Sequence, residues 1–249
     1  MSALPLAAGG VALVAAAVFA YVGAHVARRP VSEENRVAGA AFAVWWFSLA
    51  GYYTLRGATV LLIASGYAHL PTFETMRYLN VLILCTACWA ITYHVVFLFT
   101  GRRGWIVPIS VTYALVYAVG LYVTARSRAV GVAISGWRVE IAQVAPLEGT
   151  ARIAILLALL GPPLLGSLAY MSLTVRLKDA TQRYRSALIS WSILVWLAGS
   201  LVGSLANLTW LQAVSHFVLG FVAALAVLMA YKPPRWAQAR FGVAPSPRE

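Results

Sequence analysis

Apolar residues in this chain come in long unbroken runs rather than in the short alternations of a half-buried strand. Seven runs stand out: Leu4–Val26, Val37–Ser65, Met76–Thr100, Trp105–Thr124, Ala151–Val175, Ser186–Leu205 and Trp210–Tyr231. A helix rising about 1.5 Å per residue needs roughly 20 apolar residues to cross hydrocarbon, so each run predicts one span. The polar breaks are short: Arg29–Arg36, a turn at His69–Glu74 carrying Pro71, Gly101–Arg102–Arg103–Gly104, Arg176–Arg185, and a very short connection with Asn207. Only Ala125–Thr150 is long. There Val130, Val132 and Ile134, then Val139 and Ile141, alternate around Ser135–Gly136, which predicts a small β-hairpin. Pro162–Pro163 fall inside the fifth run and predict a kink.

Composition agrees. In the 249 residues, 61% are hydrophobic and 10% charged, and the mean hydropathy is +0.80, which makes lipid the solvent. The expected fold is therefore an all-α membrane protein with a seven-transmembrane helix bundle over residues 1–231. A basic, Pro-rich tail, 232–249, is expected to be extended and cytoplasmic. A β-barrel would show strand-length alternation instead.

Charge sets the orientation. Arg28, Arg29, Arg36, Arg102, Arg103, Arg176, Lys178, Arg183, Arg185, Lys232, Arg235, Arg240 and Arg248 fall after odd-numbered runs, whereas the opposite side carries only Arg77, Arg126, Arg128, Arg138 and Arg152. Basic loops stay cytoplasmic, so the N-terminus is placed outside, the C-terminus inside and the hairpin on the outer face. Of the net +12, little remains to suggest nucleic acid, since no basic groove interleaves with stacking aromatics.

Glu34–Asn35–Arg36 ahead of the Trp45–Trp46 run, the segment Tyr93–His94–Val95–Val96–Phe97–Leu98–Phe99–Thr100–Gly101–Arg102, the large loop before the fifth run and the basic stretch after it together resemble the seven-transmembrane sensor region of bacterial histidine kinases. The resemblance covers about Gly10 to Pro234. It implies a non-enzymatic receptor in a bacterial cytoplasmic membrane. Such a module detects a small-molecule ligand or a membrane state and relays helix movement. The residues given after Tyr231 hold no kinase, cyclase or coiled-coil stretch, so either the output is a separate cytoplasmic signalling protein, or the sequence is a piece of a longer one, or the resemblance is of architecture alone. Retinal chemistry is excluded because Trp210–Tyr231 contains no lysine. The alternatives are a transporter or channel component and a haem-carrying membrane anchor of a redox complex.

Few residues offer chemistry. Arg56 is the one formal charge deep in an apolar run, a default site for an anionic ligand, with Glu74 or Glu140 as loop counter-ions and snorkelling to phosphates as the structural alternative. Arg56, Tyr52, Tyr53, Arg77, Trp210 and His216 are the candidate ligand-binding residues of an outer pocket under the Ala125–Thr150 loop. His94 and His216 lie about 15 Å apart in depth, too far for one haem. His25 with His94, and His69 with His216, share depths, against hydrogen bonding within the bundle. Cys85 and Cys88 read as small packing residues. Gly199, Gly203, Ser200 and Ser204 suggest close helix approach, within the bundle or in a homo-oligomer, and Ser190, Ser192 and Asn207 suggest interhelical hydrogen bonds. No nucleophile–base pair, carboxylate dyad or phosphate loop appears, so no catalytic residue, metal or cofactor is assigned.

Overall fold

The computed structural model describes residues 3–29, 35–135, 138–143, 149–205 and 217–244. Its long helices are α1 (Ala3–Ala27), α2 (Arg36–Ala64), α3 (Leu70–Thr100), α4 (Ile106–Arg126), α5 (Gly149–Arg176) and α6 (Ala180–Leu205). Two shorter ones follow, α7 (Leu219–Tyr231) and α8 (Arg235–Phe241). Among the described residues, six helices are long and apolar enough to cross a membrane. The chain is thus a multi-pass helical membrane protein. Of the seventh run, α7 is described, whereas Trp210 through His216 lie outside the described residues.

Helix boundaries depart from the apolar runs where polar residues supply a good helix start. Pro71 stands in the first turn of α3, where its missing N–H is no loss, so the helix begins at Leu70 and absorbs the segment expected to be a turn. Asp179 caps α6, its Oδ1 accepting from the Gln182 N–H at 2.7 Å, so the polar stretch from Ala180 to Arg185 is helical as well. At the other end of α3, Gly101 closes the helix in the left-handed region at φ 64°.

Small residues set the packing. Ala8, Ala12, Ala15, Ala16, Phe19 and Val22 form the buried face of α1 at three- and four-residue spacing, while Leu13 and Val14 face outward. That face packs on α2 and α7. A Cβ on Gly9 would come within 2.7 Å of the Leu61 side chain, and one on Gly57 within 3.0 Å of the Gly9 carbonyl, so this pair fixes the α1–α2 crossing. The α7 face of Gly220, Ala223, Ala224 and Val227 is similarly small and leaves room for large aromatics from α1 and α2.

Around these faces lies an aromatic core. Trp45 and Trp46 are fully buried, Trp45 meets Trp196 edge-on at 5.5 Å, and Phe19 stacks on both Trp46 and Tyr53. By contrast α4 packs chiefly on α3 and is the least buried of the long apolar helices, exposing Val107, Val111, Leu115, Val119 and Tyr122 along one stripe. After α4, β1 (Ala129–Ser135) pairs antiparallel with β2 (Arg138–Gln143), Val132 opposite Ile141 and Ile134 opposite Val139. Val130 is left over as a bulge between Ala129 and Gly131.

The tail differs from the extended form expected of it. Pro233 and Pro234 end α7, but α8 follows at once and turns Ala237 and Val243 inward. It is tied back by the Ala244 N–H, which donates to Thr181 Oγ1 at 3.0 Å.

Candidate functional site

The outer candidates separate into two groups. Tyr52 and Tyr53 are buried edge-to-face at 5.2 Å, with the Arg56 guanidinium 5.6 Å from the Tyr52 ring centre and exposed at the helix surface. Tyr53 packs its hydroxyl end against Gly220 rather than into open space. Arg77 belongs to a different assembly: it donates to Glu74 Oε2 at 2.9 Å and to Ser127 Oγ at 2.7 Å, while Glu74 Oε1 accepts from the Ala129 N–H at 2.7 Å. These bonds tie the start of α3 to the end of α4 and to β1, and they commit Glu74 to Arg77 instead of Arg56. Trp210 and His216 lie outside the described residues, as do Asn207 and the hairpin's Gly136.

A more organised site sits at the opposite, basic end. Here the first turn of α2 meets the last turns of α3, bounding a cleft of about 930 Å³ lined by Asn35, Ala38, Gly39, His94, Phe97 and Arg103 among others. His94 forms part of its wall and is otherwise buried. The Ala38 carbonyl can only accept, so His94 Nδ1–H donates to it, at 2.9 Å. That tautomer leaves Nε2 as an acceptor for the Tyr170 hydroxyl at 2.7 Å. The ring also stacks on Phe42 at 4.4 Å. One imidazole thus joins α2, α3 and α5. Of the pair His25 and His94 weighed from depth, His94 thus has both nitrogens engaged, and His25 Nε2 lies 3.2 Å from Arg29 Nη2. His69 similarly makes a local contact, Nδ1 lying 2.9 Å from Thr72 Oγ1.

The network continues through α5. Its proline pair deprives the Ala158 and Leu159 carbonyls of their helical donors, and the Cys88 thiol, 3.0 Å from the Leu159 oxygen, replaces one of them. Cys88 is therefore a hydrogen-bond donor at the proline site as well as a packing residue. Ser186 Oγ donates to the Tyr170 carbonyl at 2.7 Å, Ser167 and Ser190 bond reciprocally, and Ser192 Oγ donates to the Ala223 carbonyl at 2.8 Å. The serines singled out in α6 do bond across helices, to α5 and α7.

Beside this network the ends of α1, α6 and α7 gather cations on tyrosines. The Arg29 and Arg185 guanidiniums lie 4.7 and 5.5 Å from the Tyr231 ring centre, and Lys232 lies 4.7 Å from that of Tyr21. Burial and then the neighbouring Arg185 charge lower the Arg29 pKa, opposed by Tyr231.

Tyr170 and Cys88's donor role carried no sequence signal, being a lone phenol and thiol inside apolar runs whose partners depend on helix rotation. Set against protein-family models, curated proteins and solved structures, the chain matches none.

Proposed function

We propose that this protein is a seven-span sensor and signalling module with its N-terminus outside, its C-terminus cytoplasmic and the β1–β2 hairpin on the outer face. The excess of arginine and lysine after odd-numbered spans supports that orientation. The observation that carries the sensor reading is His94, which is at once a wall of the basic-end cleft and the hydrogen-bonded link between α2 and α5. A small polar ligand in the cleft that bonds the imidazole competes with Tyr170 or Ala38 and loosens α3 from α5. Below Pro162–Pro163, α5 then moves together with α6, to which Ser167–Ser190 and Ser186 still bond it, and its end, leading into the basic segment from Arg176 to Arg185, is the contact for a separate cytoplasmic signalling protein. On this reading the ligand lies at the inner end, whereas a ligand in the outer pocket expected around Arg56 and Arg77 would have to draw Arg77 away from Glu74 and Ser127.

The test is a distance measurement. Spin labels at the exposed positions Leu98 and Val175, in a Cys85→Ala, Cys88→Ser background, report the separation of the α3 and α5 ends by electron–electron resonance in nanodiscs. Tyr170→Phe should shift population from one distance to a second. A distribution identical to that of the parent would refute the relay.

A further inference from the structure

A second cleft, of about 650 Å³, opens where α8 crosses the ends of α5, α6 and α7. Its floor is aliphatic, from Ala187, Leu188 and Met229, and its walls carry Arg183 and Arg240 with Tyr184, Trp236 and Phe241. Pro233–Pro234 aim α8 across the bundle, and the Thr181–Ala244 bond holds it there. Ala237 faces inward while Trp236 and Phe241 stay exposed at 59% and 48%, so the outer surface of α8 is aromatic and basic. Exposed tryptophan and arginine at the end of apolar spans are the residues of a membrane–water boundary.

Both arginines are exposed, and among the described residues no carboxylate is paired with either. The nearby acid Asp179 spends one oxygen on the α6 cap. Arg240 lies over Phe241, 6.0 Å from the ring centre, an arrangement that orients a guanidinium without neutralising it. The cleft therefore combines a net positive mouth, two guanidiniums against the one carboxylate of Asp179, with a hydrocarbon floor, the two halves of one amphiphile. Its volume falls within the range of small-molecule sites, and it is open on one side to its surroundings.

We propose that this cleft binds an anionic phospholipid, the phosphate held by Arg183 and Arg240 and the upper part of an acyl chain lying on Leu188 and Met229. The site is separate from the His94 cleft and does not depend on the sensor reading. Bound lipid braces α8 against α6 and couples the tail to the composition of the leaflet.

The full chain in neutral detergent is titrated with phosphatidylglycerol, phosphatidylcholine or inorganic phosphate while its unfolding temperature is followed. Phosphatidylglycerol alone should raise the transition in a saturable way. Arg183→Gln or Arg240→Gln should raise the half-saturating concentration about fivefold each, and the pair about 25-fold. Ala187→Phe, which fills the floor with both charges intact, should also remove saturation, and Arg102→Gln, on another basic turn, should stay near the parent. Equal stabilisation by phosphatidylcholine would overturn the charge assignment. Equal stabilisation by inorganic phosphate, or an Ala187→Phe variant indistinguishable from the parent, would overturn the lipid and leave a simple anion or acidic-peptide surface. An Arg102→Gln loss as large as that of Arg183→Gln would overturn the site itself in favour of diffuse surface charge.

Discussion

Removing the Tyr170 hydroxyl isolates the bond on which the α3–α5 link depends. In Tyr170→Phe, His94 Nε2 loses its donor at 2.7 Å and becomes an unpaired acceptor in a buried setting. A dry, unpaired group costs about 1–3 kcal/mol. Interhelical hydrogen bonds in bilayers, however, average about 0.6 kcal/mol and reach about 1.7 kcal/mol. His94 borders a cleft, so water can reach the vacated acceptor and the lower range governs; the expected loss is about 1 kcal/mol. His94→Phe keeps the ring that stacks on Phe42 and removes both nitrogens, leaving the Tyr170 hydroxyl without its acceptor. The double variant should lose less than the sum, with a coupling of about 0.6–1.7 kcal/mol. Equilibrium unfolding by sodium dodecyl sulfate in mixed micelles, followed by tryptophan fluorescence, measures all four corners of the cycle. Strict additivity would refute the bond and with it the relay.

Two further outcomes test the packing. Gly220→Ala places a methyl group against the Tyr53 hydroxyl and ring, which cannot bend away, and should cost about 1–3 kcal/mol in the same unfolding assay; Tyr53→Leu in the same chain should restore part of it. Cys88→Ala leaves the Leu159 carbonyl with neither an amide nor a thiol donor and should destabilise by up to about 1.5 kcal/mol, whereas Cys88→Ser, which keeps a donor, should unfold close to the parent; equal effects of the two would show that the thiol only fills space.

The membrane-spanning helices were legible because continuous apolar runs admit few other structures. Their polar extensions were not. Hydropathy stops at Ser186 and Met76, yet Asp179 and Pro71 are start signals that outweigh it, carrying α6 back to Ala180 and α3 back to Leu70. The tail showed only prolines and charge, and α8 forms because Ala237 and Val243 find a surface on the bundle, which no local pattern encodes. Arg56 and Arg77 were visible as charges within apolar runs, but whether a charge is available depends on neighbours distant in sequence, and Ser127 and Ala129 reach Arg77 and Glu74 across 50 and 55 positions. His94 was legible as a bundle histidine, while its partners Ala38 and Tyr170 follow only from the rotation of three helices.

The outward stripe of α4 has a mechanical consequence. Every other long helix is wedged between at least two neighbours, so its tilt is dictated by protein, but α4 leans chiefly on α3 and its remaining surface is wetted by hydrocarbon. A thinner or thicker bilayer can re-angle it at small cost. Since Ser127 and Arg128 alone separate its end from β1, and Arg77 and Glu74 bind Ser127 and Ala129 to α3, the hairpin end of α4 is the fixed one and a change of tilt is taken up toward Ile106.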